Sequence, residues 1–246
     1  MNPVIQQLHD RKSVRVYEDR PIATEEKRAI LEAAIQAPSA GNMALYTILD
    51  ITDPEMKQAL SVSCDNQPFI ATAPMVLIFC ADYRRWYDTF CRYEEEVRKP
   101  DMGDLFLAEA DAIIAAQNAV VAAQSLGIGS CYIGDITENY DYHRKLLNLP
   151  QYVVPAAMLC FGYPTEQQAN REKPARFTVE DMVHENGYSM EKSAAMPRML
   201  SQRQKMDMEE LAGWVRRFCK RKWNSDFSVE MSRSCTEMVQ HWCGKE

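Results

Sequence analysis

What the chain lacks narrows its function first. None of its eight cysteines forms a C-x-x-C pair, and its four histidines, His9, His143, His184 and His241, have no ligand spacing with one another or with a cysteine pair, so no metal centre is indicated. Its nine glycines build no dinucleotide-binding fingerprint, no P-loop and no G-x-S-x-G elbow, which leaves Ser-based hydrolysis and nucleoside triphosphate hydrolysis without their usual carriers. Twenty-eight basic against thirty-five acidic side chains give a net charge of -7, which argues against a nucleic-acid partner held through its phosphates. No tract reads as apolar over the ~20 residues that a membrane span needs. The opening MNPVIQQLHDRKSVR has no apolar signal segment. The expectation is a cytoplasmic protein with no membrane partner, its scattered cysteines mostly reduced and mostly buried.

With 46% hydrophobic and 26% charged residues, the 246-residue chain has the texture of a globular protein. Its organising stretch is Leu105–Gly134, LFLAEADAIIAAQNAVVAAQSLGIGSCYIG. The first part predicts a long, alanine-rich helix buried nearly all round, with Asp111, Gln117, Asn118, Gln124 and Ser125 on one narrow polar face. Such a helix suits either a central core position or a subunit interface. After Gly127, the segment from Gly129 to Gly134 reads as a short strand bracketed by glycines.

Elsewhere, strands are expected over residues 44–51, in MVLIFCA from Met75, and over 152–162, where Pro155 suggests a bulge or an edge position. Helices separate them: one near 3–9, one with Thr24 as a plausible N-cap, one opened by Asp53 and Pro54, an aromatic and charged one over 83–97, and one capped by Thr137. The spacing is not a regular βαβ repeat, so an α+β layered fold follows. Residues 190–204 read as loop. Residues 206–221 return to helical periodicity, and the tail reads as an extended FSVEM followed by a last helix capped by Ser232.

Two basic clusters stand far apart in the chain: Arg11, Lys12 and Arg15, and then Lys173 and Arg176. If they converge, they suit a phosphomonoester, because arginine matches two phosphate oxygens and lysine supplies a movable charge. Otherwise they are solvated charge groups. Ser39, Asn42 and Gln67 are short polar groups suited to ligand hydroxyls or a ring edge, or else turn residues. Tyr132, Ile133 and Gly134 offer an apolar wall and a glycine backbone that a flat ring can approach, or else a plain strand end.

Taken together, RKSVRVY, APSAGNM, DNQPF followed by APMVLIFCAD, LGIGSCYIGDI, and KPARF followed by VHENGY resemble the nitroreductase family, nearest its NADPH-dependent flavin reductase and oxygen-insensitive nitroreductase branch. The resemblance covers residues 8–188. It implies an FMN-dependent homodimer with a mostly antiparallel sheet flanked by helices, its long central helices packed across the subunit interface. The FMN-binding domain would span residues 1–200, with a C-terminal extension over 201–246 docked on the domain or on the partner protomer.

Carried onto this chain, the resemblance implies that Arg11, Lys12, Ser13 and Arg15 approach the FMN phosphate, joined by Lys173 and Arg176. Ser39 and Asn42 would belong to the cofactor contact region, Gln67 would face the ring edge, and Tyr132, Ile133 and Gly134 would lie near the ring. Arg11 departs from the histidine that many relatives of this branch have there. The implied chemistry is ping-pong transfer of hydride from NADPH or NADH through the flavin to a small electrophilic acceptor, a nitroaromatic, quinone or flavin, with no obligate protein nucleophile. Arg203 and Lys205 are candidates for the extra phosphate of NADPH, or a basic loop. Two alternatives remain open: an FMN-binding sensory or electron-transfer protein not reduced directly by nicotinamide, and an interaction protein that has lost its cofactor.

Overall fold

The apolar run from Met75 to Asp82 forms a strand, β2, buried along its whole length. That is the pattern a central strand shows when both faces are covered. It pairs antiparallel with β1 (Tyr46–Ile51) on one side and β4 (Val153–Gly162) on the other, and β3 (Gly129–Ile133) closes the far edge. The register slips between Phe79 and Cys80, opposite Ala157 and Pro155. Pro155 therefore accompanies a bulge, in an interior strand and not at an edge. This computed structural model describes residues 1–244.

The chain divides into two compact units, residues 1–171 together with the C-terminal segment from Glu230, and Glu172–Val229. The division expected at residue 200 is not the one these contacts draw. Around the sheet the first unit carries α1 (Pro3–Asp10), α2 (Thr24–Ile35), α3 (Pro54–Ser63), α4 (Pro68–Thr72), α5 (Arg84–Tyr93), α6 (Met102–Ser125), α7 (Tyr140–Leu146) and α8 (Glu166–Asn170). The second unit holds α9 (Val179–Met182), α10 (Met190–Ala194), α11 (Met196–Gln204) and α12 (Met208–Lys222). A last helix, α13 (Asp226–Trp242), follows.

Alternation along the strands divides the core. Met75, Leu77, Phe79, Leu159 and Phe161 face α2 and α6, while Val76, Ile78, Cys80, Met158 and Cys160 join Leu60, Cys64 and Ile70 of the α3–α4 side. Alanines 112, 115, 116, 119 and 123 of α6 are fully buried, which lets the helix lie close to the sheet. The helix is not covered all round, however. Phe106 (66% exposed), Leu107, Ile113 and Ile114 form an open apolar stripe, and Asp111, at 3% exposure, lies on the buried side, away from exposed Gln117. By length and composition alone α6 also passes for a membrane span, contrary to the expectation that no tract would. Its buried side carries Asp104 and Asp111 among the core alanines.

Local capping departs from expectation at several helices. Thr24 is already inside α2, whose start is held by the Glu26 carboxylate accepting from the Ala23 N–H at 3.0 Å. Thr137 closes a 3₁₀ turn over Gly134–Thr137 instead of capping α7, and its hydroxyl donates to the Gly134 carbonyl at 2.9 Å. Residues 190–204 form α10 and α11, started by Ser189, whose hydroxyl accepts from the Lys192 N–H, and by Pro197. Caps, not periodicity, mark those helices.

FSVEM is helical too. The spacing of Phe227, Met231, Ser234, Met238 and Trp242 follows a helix, and this longer period overrides a five-residue alternation. Ser232 accordingly lies inside α13. The end of α13 docks on its own protomer: Trp242 is fully buried beside Leu105, Tyr152 and Val154, and its indole N–H donates to the Asp101 carbonyl at 3.1 Å.

Candidate functional site

Residues 11–15 run beside β3 as an extended strip. Ser13 bridges Ser130 in parallel, and the Val14 N–H donates to the Ser130 carbonyl at 3.0 Å. Gly129 makes this approach feasible, since a Cβ there would lie 2.6 Å from Val14 Cγ2. The strip is tied on its other side to α8. Lys12 Nζ donates to the carbonyls of Ala169, at 2.6 Å, and Arg171; Arg171 Nη2 donates back to the Ser13 carbonyl at 2.6 Å; and the Arg15 N–H donates to Gln168 Oε1 at 3.4 Å.

The strip brings three cations, Arg11, Lys12 and Arg15, to the edge of β3. Burial pushes the Cys131 thiol up, and the nearby Arg15, Ser13 and Arg11 oppose it. Burial also pushes the Tyr132 hydroxyl up to about 12, against the pull of Arg11. Arg11 Nε is buried with no hydrogen-bond partner. A guanidinium N–H held out of water without an acceptor is costly, and an anion beside it would relieve that cost.

At the far end of β3, Gly134 opens on free space: a Cβ there would meet nothing within 4 Å. Next to it, Asp135 Oδ2 accepts from Gln67 Nε2 at 2.8 Å, and the same amide group donates to the Cys64 carbonyl at 2.8 Å. Behind them Glu138 is 6% exposed, with Oε1 lacking a partner. Burial, followed by the charges of Asp135, Asp65 and Glu230, pushes its carboxyl up to about 7. Tyr132, on the same strand, donates its hydroxyl to Gln117 Oε1 of α6 at 3.4 Å. Thus the 11–15 strip, Tyr132, Ile133, Gly134 and Gln67 gather along β3 and the turn that follows it.

Ser39 and Asn42 flank a separate turn, anchored to α6. Asp111 accepts from the Ala40 N–H at 2.9 Å and the Leu45 N–H at 3.1 Å, Ser39 Oγ accepts from the Ala44 N–H at 3.0 Å, and Asn42 adopts a left-handed backbone. Lys173, Arg176, Arg203 and Lys205 belong to the second unit. There Arg203 lies 4.1 Å above the Phe177 ring with Nε buried and unpartnered, and Lys205 closes α11 in a left-handed conformation. Arg171, Asp135 and Glu138 were missed in the sequence, where nothing beyond charge sets them apart.

The buried cysteines of the sheet and at the end of α3 are not set up as nucleophiles. Burial pushes the Cys64 and Cys80 thiols up to about 12 and Cys160 upward as well, away from the thiolate form that reacts. Ser63 Oγ lies 2.8 Å from His143 Nε2, whose Nδ1 faces the Ile136 carbonyl at 2.9 Å, so this pair has a carbonyl where a triad has a carboxylate. Among the described residues no group of three or more His, Cys, Asp or Glu could hold a metal ion. What remains is a basic strip suited to an anion, the Gln67 amide and a bare backbone edge at Gly134.

Residues 8–163 match the nitroreductase family, and the chain belongs to it. The FMN reductase [NAD(P)H] of Bacillus subtilis is 35% identical over 191 residues, covering 76% of this chain and 75% of that protein. The oxygen-insensitive NADPH nitroreductase of Salmonella typhimurium is 34% identical over 188 residues, covering 76% and 75%. Among solved structures, the NADPH:FMN oxidoreductase of Vibrio harveyi complexed with NAD+ superposes with a TM-score of 0.73 at 26% identity, over 87% of this chain and 91% of that one.

Proposed function

We propose that the protein is an FMN-dependent NAD(P)H oxidoreductase that passes electrons to a small electrophilic acceptor: a nitroaromatic, a quinone or a free flavin. The observation that carries this reading is the orphaned, buried Arg11 Nε within a cationic strip that leads to an open glycine edge at Gly134. These residues fit a flat ring bearing a phosphate. Bound FMN would supply the redox chemistry, taking hydride from NADPH or NADH and giving it to the acceptor in a ping-pong sequence.

In this reading Arg11, Ser13 and Arg15 hold the phosphate and its neighbours. Lys12 holds the strip in place through α8 and has an N–H left for the anion. Lys173 and Arg176 are assigned as further phosphate ligands, Ser39 and Asn42 as outer contacts, and Gln67 with Tyr132, Ile133 and Gly134 as the ring site. Arg203 and Lys205 are assigned to the nicotinamide phosphate. The open stripe of Phe106, Leu107, Ile113 and Ile114 on α6, with exposed Val4, Ile5 and Leu8 of α1, supports a homodimer, since an apolar face of that extent is seldom left to water. Eight free cysteines suit a reducing, cytoplasmic setting.

The test is an ultraviolet-visible spectrum of the purified protein followed by anaerobic titration with NADPH and NADH. A yellow protein bleached by either nicotinamide is the expected result. A bound flavin that neither nicotinamide reduces would move the protein to the sensory or electron-transfer class, and a colourless protein that takes up no FMN would sink the reading.

A further inference from the structure

A glutamine amide presents two nearly isosteric ends, one an acceptor and one a double donor, and a site that cares which end faces its ligand must fix the rotation. At Gln67 both hydrogens of Nε2 are taken. One goes to the Cys64 carbonyl and the other to Asp135 Oδ2, each at 2.8 Å. Both partners are acceptors, so turning the amide over would set its oxygen against a carbonyl and a carboxylate and forfeit a charge-assisted bond. The backbone is held as well: the Gln67 N–H donates to the Ser61 carbonyl at 2.9 Å, and Ser61 Oγ donates back to the Gln67 carbonyl at 2.9 Å. Asp135 is carried by the 3₁₀ turn at the end of β3, which Thr137 closes onto Gly134.

We infer that Asp135 is a positioning residue that locks the Gln67 amide with only its oxygen available to the ligand, so that the ring edge at this place must bring a hydrogen-bond donor. On the proposed reading that Gln67 faces the flavin, the matching group is the imide N3–H. The two carbonyl oxygens that flank N3 would be turned away, lone pair against lone pair. The inference rests on that reading of the site and adds to it the identity of the edge that docks and the residue that selects it.

The experiment compares FMN with FMN methylated at N3, which keeps the ring and phosphate but has no imide donor. Each is titrated, by quenching of flavin fluorescence, into flavin-stripped full-length protein: wild type, Asp135→Ala and Asp135→Asn. Wild type should prefer FMN by about tenfold or more, the worth of one buried hydrogen bond. Asp135→Ala should cut that preference to within about threefold, because the charge-assisted bond is gone and only the neutral Cys64 carbonyl still opposes an amide turned to offer its N–H₂ to a ring carbonyl. Asp135→Asn keeps the shape but can itself donate or accept, and should fall between. It carries the test if Asp135→Ala does not unfold cooperatively.

A wild-type protein that binds both flavins equally, or a preference that survives in both variants, overturns the inference while leaving FMN binding intact. Failure of the wild type to bind either flavin overturns the proposed cofactor and this inference with it.

Discussion

Arg171 reaches the main-chain carbonyl of Ser13 at 2.6 Å, across more than 150 residues of chain, and Lys12 answers by donating to the carbonyls of Ala169 and Arg171. Arg171 holds the backbone of Ser13 while Lys12 holds that of Ala169 and Arg171, so the strip that carries Arg11 and Arg15 is fixed to α8. Arg171→Ala should therefore loosen the cofactor without removing a nominated ligand. Hydrogen bonds from a charged group contribute ~1.5 kcal/mol or more, so FMN affinity should fall by about tenfold. Fluorescence titration of wild type and variant measures this, and unchanged affinity would remove Arg171 from the argument.

The Ser39–Asn42 turn stands on one buried carboxylate. Asp111→Ala would leave the N–H groups of Ala40 and Leu45 without their acceptor in the core and should destabilise the protomer by ~2–4 kcal/mol. Asp111→Asn keeps the shape, and its amide oxygen can serve only one of the two donors well, so about half that loss is expected. Urea unfolding with constant m-values would report both. A loss under ~0.5 kcal/mol for the alanine variant would mean that the turn is held by other contacts.

Glu138 makes the fold sensitive to pH in a defined direction. Its carboxyl is pushed up to about 7 from an ordinary 4.5, with burial the larger cause and the charges of Asp135, Asp65 and Glu230 adding to it. A raised folded value means that the native state holds its proton more tightly than the unfolded chain. The stabilisation is therefore fully present below pH ~4.5 and lost as pH rises through ~7. Above that range wild type carries a buried carboxylate whose Oε1 has no partner, at a cost on the order of 1–3 kcal/mol. Glu138→Gln removes the charge, so it should be the more stable protein at pH 8, and the gap should close towards pH 5. Melting curves at the two pH values decide it; a gap independent of pH would show that this carboxyl does not titrate in that window.

Much of this architecture was legible along the chain. The MVLIFCA run, the glycine-bracketed Gly129–Ile133 segment and the Asp53–Pro54 helix start each carry their cause within a few residues. Signals that depend on distant partners were not. Asp111 belongs by composition with the other polar residues of α6, and only the incoming Ala40 and Leu45 amides make a buried position tolerable for it. Arg171, Asp135 and Glu138 look in sequence like solvated charges, since what defines them is a carbonyl, an amide or a burial brought by another element. FSVEM misled for the opposite reason: a short window shows alternation, while the period of the whole of α13 is set by Trp242 and Met238 docking beside Tyr152.

The open stripe on α6 yields the last expectation. Phe106 and Ile113 are exposed in the protomer, so replacing either with glutamate costs the single subunit little, whereas in a homodimer packed on this face it would bury an unpaired charge at the centre of the contact. Phe106→Glu with Ile113→Glu should therefore convert a dimer to monomers of 28.2 kDa in sedimentation equilibrium while leaving the helical content of the protomer unchanged. Flavin content offers a second measurement on the same sample. If the cofactor site draws residues from both subunits, the monomer should lose FMN in gel filtration, whereas a monomer that keeps its flavin would place the whole site within one chain. A double variant that stays dimeric would show that the subunits meet elsewhere, and α6 would then have to be covered by another surface.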